Sequence, residues 1–238
     1  MNVKYLGVHP GPIASCPGRP IIGSKRRENS SGGRVILAAT VDLVKKICLT
    51  GDPAVGKTCL IRRFVVDEFD DSYITTIGAK VTKKRLVVAF PERAVCVNLS
   101  LMIWDVAGQK EYRQFHEMYL RGMEGVIAVA DLTRKSTFSG LDAAIRLADR
   151  TGTDVPMIFL LNKCDLADPS FDELKDIRTA ASQHGIPVLV TSARTGTNVE
   201  LAFEKMGRMV ADVWLNKKFK KSTSGMDKLN GAKGTTLQ

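Results

Sequence analysis

The chain has 238 residues, 44% hydrophobic and 25% charged, and no apolar run near the roughly 18–20 residues that a membrane span needs, which argues against an integral membrane protein. Its length suits one large domain or two small ones with a packed core. Five cysteines, odd in number and without a C-x-x-C pair, argue against a disulfide framework or zinc cluster and for a reducing compartment.

The net charge of +10 sits at the two ends: residues 1–40 and 214–238 carry +5 each, and the middle is neutral. Residues 1–40 show no sustained period and are punctuated by Pro10, Pro12, Pro17 and Pro20. They read as a disordered basic leader, although an acid-poor leader also fits an organelle transit peptide. Val44 to Thr50 then reads as a buried strand, followed by a glycine-bearing loop and an apolar-periodic segment over 57–67. Residues 79–90 and 95–104 are β-rich and joined across Pro91, a hairpin pattern. The runs at 125–130 and 155–161 suit strands covered on both faces. Helical spacing links Phe138, Leu141, Ile145 and Ala148, then Phe171, Leu174 and Ile177; Ile186 to Val190 reads as a strand. A last helix aligns Val199, Phe203, Met206, Val210 and Val213. Strands alternating with helices predict an α/β domain over 41–214 with a mostly parallel sheet. Residues 215–238 lose the period and read as a disordered, lysine-rich tail.

Gly51-Asp52-Pro53-Ala54-Val55-Gly56-Lys57-Thr58 matches G-x-x-x-x-G-K-[ST], between a strand and a helix. Phosphate oxygens need several N–H donors converging on one point, and glycine lets the backbone come that close. The helix start adds positive potential there. Lys57 would neutralise phosphate charge, and Thr58 would offer its hydroxyl to Mg²⁺. Asp105, at a strand end in Trp104-Asp105-Val106-Ala107-Gly108-Gln109, can hold Mg²⁺ through its water shell. The adjacent Gly108 can turn its N–H toward the terminal phosphate. In Asn162-Lys163-Cys164-Asp165 the carboxylate can accept two hydrogen bonds that guanine supplies and adenine does not. Thr191-Ser192-Ala193 follows the last strand and could offer an N–H to the guanine oxygen. His9, His116 and His184 have no metal-ligand spacing.

These strings occur in one order, each at a strand's C-terminal end, where open α/β sheets bind ligands. Together they make residues 43–214 resemble the Ras superfamily of small GTPases, and the Rab branch most closely. The resemblance implies a P-loop NTPase G domain: a three-layer α/β/α fold with a six-stranded, mostly parallel sheet and one antiparallel edge strand. It implies GTP, GDP and Mg²⁺ as ligands, with nucleotide contacts along Gly51 to Thr58 and at Cys59, Phe69, Thr76, Asp105, Gly108, Asn162, Lys163, Asp165, Ser192, Ala193 and Arg194. By the same match, residues 69–78 form the first switch, where Thr76 ligates Mg²⁺ with Thr58 and senses the γ-phosphate, and Phe69 packs on the base. Gln109 in the second switch would orient the attacking water, making Gln109, Lys57 and Thr76 the catalytic set. Pro53, Ala54 and Ala79-Lys80-Val81 depart from the Rab pattern. So does the stretch after Cys164, which holds no cysteine for a prenyl anchor.

The implied chemistry is in-line attack of water on the γ-phosphate, driven by positioning and electrostatics. Residues 64–83 contain no arginine, so no arginine finger is evident from the first switch. The expectation is a slow GTP-hydrolysing switch of the kind that serves intracellular traffic, with an activating protein, an exchange factor and effectors as partners. It would be cytoplasmic, with peripheral membrane association through Lys217, Lys218, Lys220 and Lys221. A solubilising tail is the simpler reading of those lysines, and nucleic acid the least favoured. A hydrolysis-poor GTP-holding module, or an adaptor acting through its tail, is the alternative.

Overall fold

The computed structural model describes residues 39–67, 78–107, 118–151, 155–167 and 171–231. Six strands, β1 (Ala39–Thr50), β2 (Ala79–Phe90), β3 (Val95–Val106), β4 (Gly125–Asp131), β5 (Met157–Asn162) and β6 (Val188–Val190), form one sheet in the order β2-β3-β1-β4-β5-β6. Among the described residues the α-helices are α1 (Lys57–Val66), α2 (Ser139–Thr151), α3 (Phe171–Gln183) and α4 (Val199–Gly231). β1 runs parallel to β3 and β4, and β5 parallel to β4 and β6. β2 is the antiparallel edge strand, pairing Phe90 with Val95 across the Pro91–Arg93 turn. The sheet expected from the resemblance is the sheet observed.

Alternation within the apolar strands builds the three layers, because successive side chains point to opposite faces. Ile47, Leu49, Ile127, Val129, Ile158 and Leu160 pack toward one side, with Leu60 and Phe64 of α1 and Val199, Phe203 and Met206 of α4. Cys48, Val126, Ala128, Phe159 and Leu161 face the other side, with Leu141 of α2 and Ala181 of α3. Phe64 and Phe203 stack with ring centroids 4.3 Å apart. Gly207 lets α4 lie close on the hairpin, since a Cβ there would come 2.9 Å from Leu86 Cδ1.

Two boundaries are corrected. β1 begins at Ala39, paired with Val95, so the ordered sheet starts before residue 41. At the other end α4 continues to Gly231, where an unstructured tail from 215 was expected. The turn just beyond 214 is anchored to the rest of the domain. Leu215 is buried, and Asn216 Oδ1 accepts a hydrogen bond from Arg93 at 2.9 Å. Cys48 and Cys164 are free thiols. Among the described residues no helix is long and apolar enough to cross a membrane.

Candidate nucleotide site

The strand order puts β1 between β3 and β4, reached by the chain in opposite directions, so the crevice beyond the end of β1 is the topological switch point. The 51–56 loop occupies it. Gly51 (φ 133°) has no room for a Cβ, which would overlap the Val129 carbonyl, and Gly56 (φ 100°) would meet the Asn162 side-chain amide. Both positions therefore require glycine. Ala54 also lies in the left-handed region, at φ 61°. At the start of α1, Gly56 supplies no side-chain cap and the first turn holds no acidic residue. The positive end of that helix is left for an external anion.

Lys57 is buried at 7% exposure, and its Nζ donates to the Gly51 and Asp52 carbonyls at 2.8 and 2.9 Å. Burial pulls its pKa from 10.5 down to about 8; Asp105 and Asp52 oppose that fall, and Arg134 adds to it. Beside it, Thr58 Oγ1 donates to Asp105 Oδ2 at 2.5 Å. A hydroxyl and a buried carboxylate at this spacing suit a hard divalent cation that keeps waters and phosphate oxygens as its other ligands. Groups of three or more His, Cys, Asp or Glu able to cage a metal do not occur among the described residues.

Asn162, 1% exposed at the end of β5, ties the loops together. Its Nδ2 donates to the Val55 carbonyl at 2.8 Å, and its Oδ1 accepts from Thr191 Oγ1 at 3.3 Å and from the Ala193 N–H at 3.2 Å. Within the Thr191-Ser192-Ala193 stretch that could offer an N–H to guanine, the Ala193 amide is engaged by Asn162 in this structure. Asp165 is exposed, and its Oδ1 accepts from Ser192 Oγ at 2.5 Å. Arg194 contributes its carbonyl, which accepts from Arg63 Nη2 at 2.5 Å; the Ala193 carbonyl accepts from Arg63 Nε at 2.9 Å. Burial, then Asp165, raise the Cys164 thiol, which disfavours its thiolate form.

Sequence reasoning missed three residues. Asp131, fully buried at the end of β4, receives Lys163 Nζ at 2.7 Å and Arg134 Nε at 2.9 Å. Burial works against its charge, but hydrogen bonds from Lys163, Thr133 and Arg134 prevail and hold its carboxyl below the usual range. Arg134 also reaches the Pro53 carbonyl, and Arg63 binds the 193–194 turn. The rule that found Asp105 and Asn162, a polar residue closing an apolar strand, would also have found Asp131. The expected Phe69, Thr76, Gly108 and Gln109 lie outside the described residues. Cys59, on the first turn of α1, is half-buried.

The model of the Ras family matches residues 46–212. Ras-related protein Rab-8B of Pongo abelii is 35% identical over 79% of this chain and 88% of its own length. Ras-related protein RIC1 of Oryza sativa subsp. japonica is 38% identical over 69% and 79%, and GTP-binding protein YPTM1 of Zea mays is 38% identical over 71% and 79%. With that span of similarity laid over the 51–58 loop, the Thr58–Asp105 pair and the 162–165 loop tied to it, the chain belongs to the Ras family as a Rab-like small GTPase, a class that binds GTP and GDP with Mg²⁺ and hydrolyses GTP.

Proposed function

We propose that this chain is a slow GTP-driven switch in which residues 51–58 grip the phosphates, Thr58 and Asp105 hold Mg²⁺ with Thr76, and Asp165 reads guanine. The observation that carries this reading is the Asn162 side chain, which joins the phosphate loop at Val55 to the base loop at Thr191 and Ala193. Such a tie would let the two loops act together on the two ends of a nucleotide. Mg²⁺ when bound offsets charge on the phosphate oxygens. Lys57 leaves the Gly51 and Asp52 carbonyls to pair with phosphate, Gln109 orients water for in-line attack, and Thr76 and Gly108 report the γ-phosphate to partners. No arginine lies in residues 64–83, so a partner would be needed to raise the rate. Activating, exchange and effector proteins are the expected partners, and the exposed Lys217, Lys218 and Lys220 of α4 suit an anionic membrane surface.

Titration calorimetry with magnesium tests the reading. GDP should bind and ADP should not, and Asp165→Ala should erase most of that preference, because two hydrogen bonds to a carboxylate are at stake, roughly 3 kcal/mol or more. Equal binding of the two nucleotides by the unaltered chain would sink it.

A further inference from the structure

Arg134 stands three residues beyond the end of β4 with its guanidinium spanning two partners. Nε donates to Asp131 Oδ2 at 2.9 Å, and Nη2 donates to the Pro53 carbonyl at 2.8 Å. Its backbone is fixed too. The Arg134 N–H donates to the Asp131 carbonyl at 2.9 Å, and its own carbonyl accepts from Thr137 Oγ1 at 2.7 Å. Asp131 is locked in turn by Lys163 and by the Thr133 hydroxyl, which donates to its Oδ1 at 2.7 Å. The arginine is therefore aimed by a buried carboxylate, although its side chain remains 42% exposed.

What it aims at is the peptide between Pro53 and Ala54. Proline carries no N–H, so the Ala54 amide is the next donor the loop can offer. In a trans peptide the carbonyl and the following N–H point to opposite sides, and no cis bond occurs among the described residues. A hydrogen bond on the Pro53 oxygen thus decides where the Ala54 N–H points. Ala54 sits at φ 61°, a conformation that a residue with a Cβ adopts reluctantly, so the loop has reason to relax unless it is held.

We infer that Arg134 is a positioning residue of the phosphate loop, holding the Pro53 carbonyl outward so that the Ala54 N–H faces the phosphate chain of the nucleotide. The inference rests on the reading that residues 51–58 hold phosphate. It links a proline in the loop to an arginine reaching across to it, and through Asp131 and Lys163 it connects the phosphate loop to the base loop.

The test compares Arg134→Gln and Arg134→Lys with the unaltered full chain, loaded with GDP and magnesium. The readouts are the nucleotide dissociation rate and the phosphorus NMR spectrum of the bound nucleotide. Arg134→Gln is expected to speed dissociation about tenfold, as loss of one hydrogen bond to a charged group does, and to move a bound phosphorus resonance. Arg134→Lys keeps a positive charge beside Asp131 but lacks the planar fork that serves two acceptors at once. It should melt with the unaltered protein yet release GDP as fast as Arg134→Gln. Preference for guanine over adenine should persist in both. An unchanged release rate with an unmoved phosphorus spectrum in Arg134→Lys would overturn the inference and leave the loop's role standing. An unaltered protein that holds no GDP would overturn both.

Discussion

At the scale of single residues, the site is decided by backbone room and by the cost of burying charge. Gly51 is the sharper case of room, because the obstacle to a Cβ is the Val129 carbonyl, part of β4 and unable to step aside. Gly51→Ala is expected to cost at least about 2 kcal/mol, from strain at φ 133° plus the overlap, and to abolish nucleotide binding. Urea unfolding of the free and GDP-loaded forms measures both effects. Lys57 is the case of charge. Its pKa in the free protein is about 8, against an ordinary 10.5, so between those two values the unfolded chain binds more protons than the folded one. The stability of the nucleotide-free protein therefore rises with pH through that window, and the penalty is fully present below it. A bound phosphate favours the ammonium form, so binding takes up a proton once the free lysine has begun to deprotonate. GDP affinity should fall by up to about tenfold per pH unit above roughly pH 8. Calorimetry in two buffers of different ionisation enthalpy detects that uptake, and Lys57→Met should remove it along with most of the affinity.

At the scale of elements, much of the fold is legible because parallel strands covered on both faces are written as short unbroken apolar runs. Gly125 to Ala130 and Met157 to Leu161 show this, and the hairpin is marked by Pro91 between two β-rich runs. The loops proposed to hold phosphate, magnesium and the base stand out for a related reason: each closes such a strand with polar residues in a fixed string. What stayed hidden is long-range. Arg63 meets the 193–194 turn across 130 residues of sequence, Lys163 reaches Asp131 from the loop after β5, and Arg134 reaches the Pro53 carbonyl, so no local period encodes these contacts. The extent of α4 was hidden because residues 216–220, just past buried Leu215, are exposed. Lysines at 217, 218 and 220 carry no apolar stripe, so sequence pattern alone stops the helix at 214. The structure makes the boundary testable. Ending the chain after Trp214 removes buried Leu215 and the Asn216 partner of Arg93, and should cost about 2–3 kcal/mol. Ending it after Lys220 keeps both and should cost far less. Chemical denaturation of the two truncations separates a domain that stops at 214 from one that includes the next turn.

At the scale of the whole molecule, a neutral middle folds between two basic ends, and the nucleotide would act as a brace across the switch point of its sheet. Phosphates would touch the loop after β1, magnesium the end of β3, and the base the loops after β5 and β6. Those loops are already joined by Asn162, by Asp131 with Lys163 and Arg134, and by Arg63. A ligand gripping them all binds the folded chain and has no counterpart in the unfolded one, so it must stabilise the entire domain by mass action. GDP with magnesium at a hundred times its dissociation constant should add about 2.7 kcal/mol and raise the melting temperature by a few degrees. ADP should add nothing. Chelating magnesium should take back part of the gain, because the Thr58–Asp105 pair loses the ion that couples it to phosphate. Amide exchange gives the spatial reading of the same experiment. If the loops form one unit, GDP should slow exchange at Ser192 and Gly196 in the base loop, whose N–H groups are bonded to Thr197 and Ser192, together with residues of the phosphate loop. Protection confined to residues 51–58 would show that the ties are too weak to carry binding from one end of the nucleotide to the other.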